Sequence, residues 1–169
     1  MRIVPGTLAI TLAAALALTL VPEIAAAKVS KGQRAPGFTL PSLSGEKVSL
    51  SGFAGKVVVL DFWAQWCEPC KRELPELDKL AKSYGAKNVA IITVNIDKQR
   101  DNADKLVRTL GLSLPVLLDA AGAVAATYDL PKMPSSYVID PKGVVRFVHE
   151  GYESGDIARF QKEIAELSR

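Results

Sequence analysis

The chain has two cysteines, Cys67 and Cys70, in the run Trp66-Cys67-Glu68-Pro69-Cys70. Two thiols at this spacing can exchange two electrons with a disulfide through a mixed-disulfide intermediate. The attacking species is a thiolate, and an ordinary cysteine, with a pKa of roughly 8.5, supplies little of it at neutral pH. Position makes up the difference. The apolar run Val57-Val58-Val59-Leu60-Asp61-Phe62-Trp63 reads as a strand, and a helix is expected to begin soon after it, at Cys67. The unpaired N–H groups of a first helical turn favour an anion. Cys67 is therefore the expected nucleophile. Cys70 lies in the same turn, within reach to close a small ring. Pro69 has no N–H to leave unpaired, and its fixed φ suits a helix start. Glu68 sets a negative charge beside Cys67. That charge opposes the thiolate, favours the disulfide form and so favours a reducing protein. A structural staple is the weaker reading, because a ring this small constrains the unfolded chain little.

The rest of the chain must hold these residues. It has 169 residues, 49% hydrophobic and 23% charged, enough apolar material for one domain of ordinary size. A net charge of +3 without a lysine or arginine run gives no nucleic-acid-binding face. Residues 1–27 read as a secretory signal peptide. Arg2 precedes an uncharged apolar stretch from Thr7 to Val21, then come Pro22 and the small residues Ala25-Ala26-Ala27. The stretch is shorter than the roughly 20 residues a membrane span needs, and an uncleaved anchor is the alternative. No cysteine follows it, which excludes a lipid-anchored lipoprotein. The expected location is periplasmic or otherwise extracytoplasmic, soluble after cleavage or membrane-anchored without it. Residues 28–169 are expected to form the domain.

Within that domain the pattern alternates. Residues 28–36 form a polar lead-in. Phe38–Leu40 and Lys47–Leu50 suggest a hairpin around Ser44-Gly45, with a loop over Gly52–Gly55. The strand at Val57–Trp63 is apolar on both faces, as a central strand should be. A helix from Cys67 to Tyr84 carries the inner stripe Leu74, Leu77, Leu80 and Ala81, with Pro75 expected to kink it. A strand over Val89–Ile96, a helix over Asp101–Leu110 stopped by Gly111, a strand over Pro115–Leu118 and a small helix over Ala121–Tyr128 follow. Ser136–Asp140 and Val144–Val148 flank Pro141-Lys142-Gly143 as a hairpin, and Ile157–Leu167 closes the chain as a helix. This order predicts an α/β fold with a central mixed sheet flanked by helices.

The segment Asp61-Phe62-Trp63-Ala64-Gln65-Trp66-Cys67-Glu68-Pro69-Cys70-Lys71 resembles the active-site strand and helix of thioredoxins. Pro75 matches their kink proline, and Met133-Pro134-Ser135-Ser136 resembles their cis-proline loop. The N-terminal hairpin, the export signal and a central α/β insertion between residues 97 and 130 are similar to the TlpA/ResA-like thiol-disulfide oxidoreductases of the thioredoxin superfamily. The Cys-Glu-Pro-Cys run and Glu73 match ResA. The resemblance implies a thioredoxin fold and catalytic Cys67 and Cys70. It places Asp61 or Glu73 at the proton of Cys70, and Trp66, Glu68, Pro69, Met133 and Pro134 at the substrate. Plain thioredoxins carry an aspartate at the position of Asp61, whereas the ResA-like group commonly has asparagine there and a glutamate at Glu73. This chain has both acids. Asp61, inside the central strand, is expected to be the more buried and to stay neutral to higher pH. Glu73 reads either as a proton acceptor or as a solvated helix residue.

The implied partners are protein disulfides or dithiols, an apocytochrome c among them, and a membrane thiol reductase as electron donor; the implied state is a monomer. No cofactor is expected. The one histidine, His149, lies far in sequence from the cysteines, and two cysteines with one histidine cannot make a tetrahedral zinc site in a monomer. Copper(I) accepts soft thiolates and few ligands, so a copper chaperone using Cys67 and Cys70 is the alternative function. A peroxiredoxin would need an isolated peroxidatic cysteine in another loop context. Trp63 reads as core, and Trp66 as part of an exposed docking surface.

Overall fold

The computed structural model describes residues 28–85 and 88–169, so the signal-peptide reading of residues 1–27 lies outside it. The expected elements are present, with ends moved by one or two residues. β1 (Thr39–Pro41) and β2 (Lys47–Ser49) form the N-terminal hairpin, and a 3-10 turn at Leu50–Phe53 runs into the expected loop. β3 (Val57–Trp63), α1 (Glu68–Tyr84), β4 (Val89–Asn95), α2 (Arg100–Leu110) and β5 (Val116–Leu118) follow. α3 (Ala123–Tyr128), β6 (Ser135–Ile139), β7 (Val145–Glu150) and α4 (Asp156–Leu167) complete the chain.

The main sheet has the order β5-β4-β3-β6-β7. β3, β4 and β5 are parallel, and β6 runs antiparallel to both β3 and β7. β3 is central and buried along its whole length. Its side chains alternate between two cores, as strand geometry requires. Val58, Leu60 and Phe62 pack with Ile92, Tyr128 and Tyr137 beneath the hairpin and α3. Val57 and Val59 pack on the other face against Leu77 and Leu80 of α1 and Phe160 and Ile164 of α4. Trp63 continues that face toward Leu74 of α1 and Ala103 and Leu106 of α2. Helices therefore cover both faces of a mixed sheet, as expected.

Both edges of the main sheet are engaged. At β5, Ser42 bridges to Leu117, and the Leu43 N–H donates to the Val116 carbonyl at 2.8 Å. At β7, the lead-in segment is tied down rather than loose. The Gly32 N–H donates to the Val145 carbonyl and the Val145 N–H to the Gln33 carbonyl, both at 2.8 Å. α2 ends at Gly111, whose φ of 62° is the left-handed cap conformation that glycine adopts without steric penalty.

α1 is fastened to the segment before β5 by one carboxylate. Asp78 accepts from Ser113 N–H (2.7 Å), Ser113 Oγ (2.9 Å) and Leu114 N–H (2.8 Å), and pairs with Lys82. Burial alone would raise its pKa, but Lys82 and these donors together hold it below the usual carboxylate value. A depressed folded-state pKa contributes stability above the unfolded value and loses it as pH falls through the folded one. Asp78→Ala leaves the buried Leu114 N–H without its acceptor and should lower unfolding free energy by roughly 2–3 kcal/mol in denaturant titrations. Part of the wild-type advantage should disappear on acidification below about pH 4.

Candidate functional site

β3 ends at Trp63, and the chain turns through Ala64-Gln65-Trp66 into α1. This turn is held from the neighbouring strand. Asp97 Oδ2 accepts from the Gln65 N–H at 2.8 Å and from Asn95 Nδ2 at 2.7 Å, and the Asp97 N–H donates to Asn95 Oδ1 at 3.1 Å. Asn95 and Asp97 were not singled out in the sequence. The available signal was a pair of small polar residues closing an apolar strand.

Cys67 is the N-cap of α1, and its Sγ accepts from the Cys70 N–H at 3.2 Å. Glu68 and Pro69 occupy the first turn, where an absent proline donor costs nothing. Cys67 and Cys70 are joined by a disulfide, with Cα atoms 5.3 Å apart. Cys67 keeps 4% of its surface exposed and Cys70 none. Solvent thus reaches only Cys67, which sits where helix-start N–H groups favour its anion.

Under the first turns of α1 lies a buried polar cluster. Asp61 stands between Val59 and Trp63 on the face of β3 that α1 covers, opposite Ser136 of β6. Glu73 lies one turn beyond Cys70 on α1 and is buried, which removes the solvated-helix reading. Ser136 Oγ donates to Asp61 Oδ1 at 2.8 Å and lies 3.5 Å from Glu73 Oε1, at the limit of a hydrogen bond. Asp61 Oδ2 and Glu73 Oε2 are buried without a partner among the described residues. Desolvation raises both acids well above the carboxylate range, and the Ser136 hydroxyl pulls back on each. Glu73 is pushed further, because Asp61, Asp156 and Glu76 add like charge beside it. Both acids are buried, Asp61 fully, as expected of a residue inside the central strand, and burial raises both.

The other expected site residues divide. Trp66 is 63% exposed beside the disulfide, whereas Trp63 is core. The Met133–Pro134 peptide bond is cis. Met133 packs on the cluster that holds both cysteines, and the Pro134 carbonyl accepts from the Gly151 N–H at 2.8 Å. Glu68 points outward with its side chain 76% exposed and pairs with Lys71. Its charge is offset by that ammonium and screened by water, so the sequence argument for a reducing poise from Glu68 alone does not hold. His149 binds Glu163 at 2.8 Å and lies tilted against the Phe160 ring, taking no part in the cysteine cluster. Among the described residues, no group of three or more His, Cys, Asp or Glu side chains is arranged to hold a metal.

Comparison with known proteins agrees with this geometry. Residues 31–148 match the AhpC/TSA family. The chain is 42% identical over 127 residues to the thioredoxin-like protein YneN of Bacillus subtilis, covering 73% of each chain. It is 34% identical over 138 residues to the thiol-disulfide oxidoreductase ResA of the same organism, covering 80% of this chain and 77% of ResA. A solved structure from Chlorobium tepidum, assigned as a thiol:disulfide interchange protein DsbE, superposes with a TM-score of 0.78 at 34% identity. That superposition covers 83% of this chain and 99% of the other.

The buried acids give a stability signature. A carboxyl group whose folded-state pKa is raised contributes its full stability below the unfolded pKa, near 4, and loses it as pH rises toward the folded value. The Asp61–Glu73 pair should therefore make the oxidised protein lose stability as pH rises between about pH 5 and pH 8. Denaturant unfolding of the Asp61→Asn/Glu73→Gln double variant should show a flatter dependence across that range. An equal slope in both proteins would mean the pair is ionised in the folded state.

Proposed function

Since the chain belongs to the AhpC/TSA family and is a ResA-like thiol-disulfide oxidoreductase of the thioredoxin fold, we propose that it works as an exported reductase of protein disulfides. One observation carries the reading: Cys67 at a helix N-cap keeps the little solvent contact the pair has, with Cys70 fully buried and two buried acids, Asp61 and Glu73, on the same side of β3. In the reduced protein the Cys67 thiolate attacks a substrate disulfide. One substrate sulfur leaves as thiolate, and a mixed disulfide forms. Cys70 then gives its proton to the carboxylate of the Asp61–Glu73 pair and attacks Cys67 Sγ. The Cys67–Cys70 bond forms, the second substrate sulfur departs, and two electrons have passed to the substrate. The substrate thiolates take up protons from solvent.

The reducing direction rests on the poor environment for a second thiolate. Cys70 is wholly buried, and Lys71, the cation next to it in sequence, is taken up by Glu68. A reduced form without strong thiolate stabilisation lowers the reduction potential. Trp66, Met133 and cis-Pro134 would receive the substrate segment, with Pro134 holding its backbone against the cysteines. Export rests on the signal-like residues 1–27. The ResA-like resemblance makes the haem-binding disulfide of an apocytochrome c the first substrate to try, with a membrane thiol reductase returning electrons.

Iodoacetamide applied to the reduced protein near neutral pH should alkylate Cys67 first; faster modification of Cys70 would reverse the assignment. Cys70→Ala expressed in the native host should accumulate mixed disulfides through Cys67, identifiable by mass spectrometry. Titration against glutathione should place the potential well below the roughly −120 mV of strongly oxidising DsbA. A value near that level would make the protein an oxidant. Stoichiometric copper(I) retention against a chelator, without disulfide exchange, would replace the reductase by a copper chaperone.

A further inference from the structure

Two buried acids with one shared hydroxyl raise the question of which holds the proton. The answer lies on the side of α1 away from the disulfide. Glu76 follows Glu73 by three residues, so both carboxyls project from adjacent positions of one helix face. Glu76 is half-buried and forms no ion pair among the described residues. Its partner is neutral: the Tyr152 hydroxyl, from the turn between β7 and α4, donates to Glu76 Oε2 at 2.6 Å. Burial first, then Glu76, raises the Tyr152 phenol to about 12, so it remains the donor throughout the working range.

The groups facing Glu73 come from every element around it: Asp61 on β3, Ser136 on β6, Asp156 at the start of α4, and Glu76 on its own helix. Asp156 is compensated by Arg159 at 3.0 Å and accepts from the Glu153 N–H at 2.6 Å. Asp156 bears on Glu73 more strongly than Glu76 does but is paired with Arg159, whereas Glu76 has no ion-pair partner among the described residues. We propose that Tyr152 and Glu76 form a positioning device that keeps the shared proton on Glu73 and leaves Asp61 as the carboxylate that receives the proton of Cys70. The hydroxyl holds the Glu76 carboxylate against the protein, and the fixed negative charge favours the neutral form of its neighbour. Glu73 is then the standing acid and Asp61 the working base. This rests on the reductase reading above only for its consequence in turnover; the electrostatic arrangement exists in the oxidised protein as well.

The test is a titration of the full domain, oxidised, with glutamate carboxyl groups labelled with carbon-13 and followed by NMR. Glu73→Gln identifies the Glu73 signal by its loss. Glu76→Gln keeps an acceptor oxygen for Tyr152 and removes the charge, so the Glu73 midpoint should fall by roughly one pH unit. Tyr152→Phe should move it the same way by less, because the released carboxylate swings into water. In the Glu76→Gln background, Tyr152→Phe should add nothing, since the tyrosine acts through that charge. Glu166→Gln, exposed on α4, should leave the midpoint in place and excludes a net-charge effect. An unmoved midpoint in Glu76→Gln, or additive shifts in the double variant, overturns the proposal. The pH profile of disulfide reduction should move with the midpoint. A shifted midpoint in a protein that reduces no disulfide would sink the reductase reading and leave the device standing. A fixed midpoint with intact reduction would do the reverse.

Discussion

Everything at this site follows from the scarcity of hydrogen bonds under the disulfide. Two carboxyl groups are buried between sheet and helix with a single serine hydroxyl placed between them. Ionising both would leave two charges in a medium of low polarisability, so the pair must hold at least one proton across the working range. A group that stores a proton beside a sulfur that must lose one is what disulfide exchange requires. The site is thus built by withholding solvation from two acids, while Cys67 at the helix start takes a hydrogen bond from the Cys70 N–H.

Much of this was legible in the chain. The apolar run at Val57–Trp63 could only be a buried strand, and the hairpins were announced by Ser44-Gly45 and Pro141-Lys142-Gly143. Cys67 as a helix cap and the cis bond at Met133–Pro134 were also readable, the second through resemblance. Glu73 was ambiguous because a charged residue on a helix is usually solvated. Its spacing to Leu77 and Leu80, four and seven residues on, already placed it on the inner stripe. That geometric clue was stronger than the residue type.

What the sequence hid were contacts between distant positions. Asp97 reaches Gln65 across 32 residues, Ser136 reaches Asp61 across 75 and Tyr152 reaches Glu76 across 76. Each joins small or common polar side chains that carry no local signature. Glu68 is a different case: its charge beside Cys67 is visible in the chain, whereas its pairing with Lys71, one turn away, is a matter of side-chain placement. A surface ion pair of that kind contributes little to stability, but it is enough to cancel an inference made from one charge alone.

The engaged edges of the main sheet have a consequence outside catalysis. A free strand edge is a template on which identical chains can stack into cross-β aggregates. Here the lead-in segment lies along one end of β7, and the turn of the N-terminal hairpin lies along the short β5. Neither edge offers a long, flat row of unpaired backbone groups. On the reading proposed above, the substrates would be partly folded chains with exposed cysteines, which are themselves aggregation-prone. Blunted edges would keep the protein from being recruited into their assemblies.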